Sequence, residues 1–127
     1  MIKLYIDDGR TAPEGWKQVF NIHEALEFIK ENYADISHID FDYYLSHDMP
    51  GHNGSRLIRE LLNYEEFEGI KVFHMPIENY TFHSSDSSMN DVMRTQLEKA
   101  FGVYVPPKKM KSEKSSLRLL LNNKKRR

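Results

Sequence analysis

Four acidic residues stand at the ends of two apolar runs that favour β-strands. Asp40 and Asp42 lie two residues apart within residues 37–47, and Asp7 and Asp8 follow the run at residues 2–6. Residues i and i+2 of a strand point to the same face, so Asp40 and Asp42 are expected side by side, with Cα atoms about 7 Å apart. Such carboxylates repel each other, and a cation between them removes the conflict. An ordinary turn or a solvated strand position is the alternative for each pair taken alone.

These acids predict a metal site. Mg²⁺ and Mn²⁺ prefer oxygen ligands, keep several waters, and commonly bind through one or two carboxylates together with a substrate phosphate. We therefore predict a site for Mg²⁺ (or Mn²⁺) whose ligands are Asp7, Asp8, Asp40 and Asp42.

Three further residues extend the prediction to phosphoryl chemistry. Arg10 follows Asp8 by two residues and could neutralise the acids or hold a phosphate bidentately, although a surface ion pair is its common role. His83 offers an acid/base group and Ser84 a hydroxyl that contacts phosphate. The alternative for Ser84 is a cap on the following helix, and the two roles are compatible because helix N-termini also bind anions. The predicted catalytic residues are Arg10, Asp42, His83 and Ser84, and a covalent variant in which an Asp accepts the phosphoryl group stays open.

Alternating strands and helices must position these residues. Strands are predicted at 2–6, 16–20, 38–43 and 81–83, with 70–74 as an alternative for the fourth and a last short strand at 103–105. Helices are predicted at 22–33, 54–64 and 88–101, with Asn21 and Asn53 as N-caps of the first two. This order predicts an α/β fold with three layers, flavodoxin-like, around a mostly parallel sheet of about five strands. The candidate residues then meet at the carboxyl ends of the strands, where such sheets bind ligands.

Charge divides the 127-residue chain into an acidic body and a basic tail. Beyond Phe101 there are nine Lys or Arg against one acid, Glu113, although the whole chain has a net charge of −1. We predict one domain at 1–105 and a tail at 106–127 that is either flexible or a short helix. The tail is predicted to bind RNA or another polyanion, or to cover the acidic body. Its predicted nucleic-acid contacts are Lys108, Lys109, Lys111, Lys124, Lys125, Arg126 and Arg127.

Composition excludes several classes of site and location. The chain has no cysteine, so a disulfide framework, a thiolate zinc site and a cysteine nucleophile are all excluded. No apolar run approaches 18 residues and no apolar signal region follows Met1, so no membrane association is expected. We expect a soluble, cytoplasmic protein, in the host cytoplasm if it is phage-encoded. The loop histidines His47 and His52 are expected to be solvated, and Trp16 is expected to be a core or rim aromatic.

The motifs together resemble one family. The chain combines Asp7-Asp8-Gly9-Arg10, a downstream Gly15-Trp16, Asp40-Phe41-Asp42 and His83-Ser84 in the order seen in cyclic-phosphate processing receiver domains. The resemblance covers about residues 2–101. It implies a receiver-like fold and a role on cyclic phosphates, such as RNA 2′,3′-cyclic ends, in RNA processing and repair or in phage–host conflict. Asp86 departs from the family, which tends to have Asn at this position.

The predicted function is a Mg²⁺-dependent phosphoesterase that acts on a phosphate ester, either a cyclic RNA end or a cyclic nucleotide. Two alternatives remain. An ordinary phosphoacceptor receiver would share Asp7-Asp8, the acid after the third strand and Ser84, but the chain has no clear counterpart of the receiver's lysine. A non-enzymatic adaptor or nucleic-acid binder would act through the basic tail.

Overall fold

The computed structural model describes residues 1–107. Four strands and three helices follow one another in the order β1 (Ile2–Ile6), β2 (Lys17–Val19), α1 (Ile22–Asn32), β3 (Ile36–Phe41), α2 (Gly54–Glu68), β4 (Tyr80–Phe82) and α3 (Ser87–Phe101). No helix among these residues is long and apolar enough to cross a membrane.

The sheet is entirely parallel. Its strand order is β2-β1-β3-β4, and Leu4 of β1 lies between Lys17 of β2 and Ile39 of β3. The direction of the chain across the sheet reverses at β1, since β2 lies on one side of it and β3 on the other. Open α/β sheets bind ligands at such a switch point, outside the carboxyl ends of the strands.

All three helices pack on one face of the sheet, since Met93 and Leu97 of α3 are buried in the same core cluster as the residues of this face. The β2–α1–β3 and β3–α2–β4 crossovers run in the same direction across the sheet, and right-handed crossovers then place both helices on the same side. Alternate strand residues such as Leu4, Ile6 and Phe41 are fully buried under these helices in one core cluster. On the other face, Lys3 and Thr81 are exposed.

The prediction of three layers is therefore wrong for residues 1–107. The connection from β1 to β2 runs the opposite way across the sheet, so a helix in it would lie on the second face. That connection, residues 7–16, is a loop without a helix. Trp16, in this loop, packs edge-on against Tyr5 of β1, with ring centroids 6.3 Å apart. It therefore lies on the second face of the sheet, which no helix covers among residues 1–107.

The strand count also differs from the prediction. Residues 103–105 form no strand, which leaves four instead of about five, and residues 70–74 form none either. The favoured fourth strand near residues 81–83 is confirmed as β4. Both N-caps are confirmed, because the side chain of Asn21 accepts the Glu24 N–H and that of Asn53 accepts the Arg56 N–H. Asp86 caps α3.

Candidate functional site

Three site residues directly follow three neighbouring strands. The backbone N–H of Asp7 donates to the Val19 carbonyl, that of Asp42 to the Ile6 carbonyl and that of His83 to the Phe41 carbonyl. Each residue thus extends the sheet's hydrogen-bond ladder one step beyond its strand. This fixes Asp7, Asp42 and His83 side by side at the carboxyl edge, on both sides of the switch point.

The loop after β1 is folded around the Asp7 carboxylate. Asp7 Oδ1 accepts the backbone N–H groups of Gly9 and Arg10 at 2.8 and 2.9 Å. Gln18 of β2 secures the loop from the other side, donating to the carbonyls of Asp7 and Arg10. Burial alone would raise the pKa of Asp7, but these N–H groups and His83 lower it below its ordinary value. Asp7 is therefore held as a buried anion.

His83 lies between two carboxylates. Its Nε2 is 2.7 Å from Asp7 Oδ2 and its Nδ1 is 2.8 Å from Asp40 Oδ1. Its ring stacks on Tyr5 at a centroid distance of 4.5 Å. Burial would lower the pKa of His83, but the two hydrogen bonds and the negative charges of Asp40 and Asp42 outweigh it, so the pKa is raised.

Arg10 is the second cationic side chain of this cluster. Its Nη1 lies 3.2 Å from Asp7 Oδ2 and 3.2 Å from the His83 carbonyl oxygen. Asp7 therefore accepts from two backbone groups at one oxygen and from His83 and Arg10 at the other. About half of the Arg10 side chain stays exposed, which leaves the rest of the guanidinium available to a ligand.

Asp42 is the second buried carboxylate. Its Oδ1 accepts the N–H of Tyr43 at 2.8 Å, whereas Asp7 accepts four hydrogen bonds. Burial raises the pKa of Asp42, the charge of Asp7 raises it further, and His83 and the Tyr43 N–H only partly offset this. A carboxylate with a raised pKa is better matched to proton transfer near neutral pH than an ordinary one.

Asp7, Arg10 and Asp42 border one open cavity of about 330 Å³. The cavity is lined by Gly9 and by seven residues with polar side chains, namely Asp7, Asp8, Arg10, Asp42, Tyr44, His47 and Ser85. Side-chain oxygen and nitrogen atoms of Asp7, Asp42 and His83 lie within 4.8 Å of one another. Both ring nitrogens of His83 face carboxylate oxygens, so the ligands of a metal ion here would be carboxylates. Asp8 is exposed at the cavity wall, whereas Asp40 is engaged by His83.

The structure places Ser84 away from this cavity. Its Oγ accepts the Asp86 N–H at 3.1 Å, at the start of α3. The side chain of Asn90 holds its backbone from both sides, accepting from the Ser84 N–H and donating to the Ser84 carbonyl, each at 2.9 Å. The neighbouring Ser85 lines the cavity instead.

Sequence reasoning missed several residues that shape the site. Tyr5 supports the His83 ring, Gln18 holds the loop after β1, and Asn90 fixes the His83–Ser84 segment. Of these, only Tyr5 could have been found from the sequence, because it lies two residues before Asp7 and residues i and i+2 of a strand share a face. The predicted nucleic-acid contacts between Lys108 and Arg127 lie outside the described residues.

The parallel sheet, its strand order and the acids at its carboxyl edge define a receiver-like α/β domain. A family model for the cyclic-phosphate processing receiver domain matches residues 2–99. The chain belongs to this family, and the resemblance noted in the sequence is confirmed. The match does not favour an ordinary phosphoacceptor receiver. Searches of curated proteins and of solved structures gave no match.

Proposed function

We propose that the domain hydrolyses cyclic phosphate esters with the help of a divalent cation. The observation that supports this most is the convergence of two buried carboxylates, Asp7 and Asp42, with the half-exposed Arg10 at one cavity. The family's link to cyclic-phosphate processing supplies the class of substrate. RNA 2′,3′-cyclic ends and free cyclic nucleotides both belong to that class.

The donor set fits a divalent cation. Four carboxylates, Asp7, Asp8, Asp40 and Asp42, meet only two cationic side chains, Arg10 and His83, so an anionic phosphate approaching the cavity would meet excess negative charge. Asp42, with Asp8 at the cavity wall, would hold the ion, because both oxygens of Asp7 already accept two hydrogen bonds each. Mg²⁺ or Mn²⁺ would supply positive charge that neutralises the phosphate oxygens.

The chain's own residues account for orientation and proton transfer in this proposal. Arg10 binds a non-bridging phosphate oxygen through the exposed part of its guanidinium. Asp42 accepts a proton from a water whose oxygen attacks phosphorus. The bond from phosphorus to one ring ester oxygen breaks, and that oxygen takes a proton from solvent, giving a phosphate monoester. His83 holds the Asp7 and Asp40 side chains in place and lowers the pKa of Asp7.

Asn has almost the same shape as Asp but no carboxylate, so Asp42→Asn tests the proposed proton acceptor. Asp42→Asn should lower kcat for a nucleoside 2′,3′-cyclic phosphate by about 10²-fold or more, in the range typical of a lost general base. Turnover is measured by phosphorus NMR with Mg²⁺ and with Mn²⁺. Asp91→Asn serves as the matched control, because Asp91 is an exposed acid on α3, and it should leave turnover unchanged. Full activity of Asp42→Asn would refute the proposed role.

A further inference from the structure

Tyr44 is a large aromatic residue at the rim of the cavity. It follows the buried Asp42 by two residues, lines the same cavity as Arg10, and is 50% exposed. Exposed aromatic surface beside a cavity proposed to bind phosphate is suited to a flat ring on the substrate.

The Tyr44 ring is also held in place before any ligand binds. Its hydroxyl donates to Asp86 Oδ2 at 3.1 Å, and Asp86 is the N-cap of α3. Its ring packs edge-on against Tyr43 with centroids 4.8 Å apart, and its backbone pairs with Asn53 next to the start of α2. A ring anchored at both ends loses little conformational freedom when a ligand stacks on it.

Trp16 is the competing aromatic, and its surroundings differ. It packs against Tyr5 and lies near His38 and Lys3, and it is absent from the cavity lining. A ligand whose phosphate is bound at Arg10 therefore meets Tyr44 within the same cavity.

We propose that Tyr44 is a stacking platform for a nucleobase, so the substrate class is nucleoside cyclic phosphates and not small alkyl cyclic phosphates. This inference rests on the proposed function. Stacking on an aromatic ring tolerates any base, because every base has a π-face, so little preference among the four bases is expected.

The test measures binding of two ligands to the full chain by NMR titration. Adenosine 2′,3′-cyclic phosphate carries a base, and glycerol 1,2-cyclic phosphate presents the same ring phosphate without one. The wild-type protein should bind the nucleotide at least about tenfold more tightly, consistent with base stacking. Tyr44→Leu should remove that preference with little change for glycerol cyclic phosphate, whereas Tyr44→Phe should keep it.

Phe20→Leu is the matched control. Phe20 has nearly the same exposure, 48%, but lines a different cavity next to α1, so its replacement should leave both affinities unchanged. Thermal melts verify that each variant is folded. An unchanged preference in Tyr44→Leu, or an equal loss for both ligands, would overturn the stacking role while the proposed function stands. If the wild-type protein binds neither ligand, the proposed function fails and the inference with it.

Discussion

The protonation of His83 follows from its two partners. A neutral imidazole has one N–H donor and one acceptor nitrogen, but Asp7 and Asp40 both offer acceptors to the ring. Both ring nitrogens must donate for both hydrogen bonds to form, which requires the charged imidazolium. The raised pKa of His83 agrees with this conclusion. His83 thus places a positive charge among the acids of the site.

This arrangement predicts a pH-dependent contribution to stability. The pKa of His83 in the folded protein lies above its ordinary value, so the stabilisation is fully present below about pH 6.5 and is lost as pH rises through the folded-state pKa. His83→Gln should therefore reduce the free energy of unfolding at pH 6, and the reduction should shrink at higher pH. Urea unfolding from pH 6 to 9 measures both proteins.

His23→Gln provides the comparison, since His23 is exposed on α1 and contacts neither carboxylate. Its unfolding free energy should run parallel to that of the wild-type protein across the same range. A constant difference between His83→Gln and the wild type at every pH would contradict the imidazolium bridge.

The sequence predicted which residues gather at the site but not how they pair. Parallel strands bring their carboxyl ends to one edge, so Asp7, Asp42 and His83 could be placed together from the pattern alone. The pattern gave Asp8 and Asp40 equal roles beside them. In the folded chain, Asp40 is engaged by His83 and Asp8 lies at the cavity wall. This difference could not be predicted, because side-chain pairing depends on distances across strands that residue spacing does not supply.

At the scale of elements, the N-terminus of α2 packs closely against the chain just after β3, at Asp42 and Tyr43. The Gly54 N–H donates to the Tyr43 carbonyl at 2.8 Å. A Cβ at Gly54 would lie 2.4 Å from the Asp42 carbonyl oxygen and 2.6 Å from the Met93 sulfur. Met93 could move, but the Asp42 backbone is fixed by the sheet, so only glycine fits here.

Gly54→Ala should consequently destabilise the fold and disturb Asp42. Alanine favours a helix over glycine by up to about 1 kcal/mol, whereas forcing atoms into a packed site costs about 1–3 kcal/mol, so the clash should outweigh the gain. Urea unfolding measures stability, and nucleotide turnover reports on Asp42. Gly51→Ala is the control, because nothing lies within 4 Å of a Cβ there. Equal stability of the two variants would show that α2 can shift away from β3.

The order of elements was predictable, but the layering was not predicted. Asparagine caps and helical periodicity gave the three helices, and the β-prone segments gave the four strands. The expectation of helices on both faces overlooked the ten-residue connection between β1 and β2, which contains no helix. The β1–β2 connection is the one that runs the opposite way across the sheet, so only a helix in it would cover the second face. Because it has no helix, the second face carries no helix among residues 1–107. Short apolar segments such as residues 103–105 cannot be distinguished from loops by pattern.

At the scale of the whole molecule, charge is distributed very unevenly. Half of the 18 Lys and Arg follow Phe101, whereas 18 of the 19 Asp and Glu precede Gly102. An acidic body repels nucleic acid in general, so contacts to an RNA chain would have to come from the basic tail. We therefore propose that the cavity holds the cyclic end of an RNA and that the tail binds its phosphates.

If the tail binds RNA and the cavity binds the cyclic nucleotide, substitutions in the tail should weaken RNA binding without weakening nucleotide binding. Replacing the last four residues by Gln should weaken binding of a short single-stranded RNA and lower its salt dependence, since each lost phosphate contact removes about 0.7 from the log–log slope. Binding of a mononucleoside cyclic phosphate should not change.

A matched variant carries the same charge loss at four exposed positions of the body, Lys17, Lys30, Lys71 and Lys99, and should bind RNA more tightly than the tail variant. Fluorescence anisotropy from 50 to 300 mM salt (about a sixfold range) compares all three proteins. Equal affinity of the two variants would mean that net charge, and not the tail, governs RNA binding.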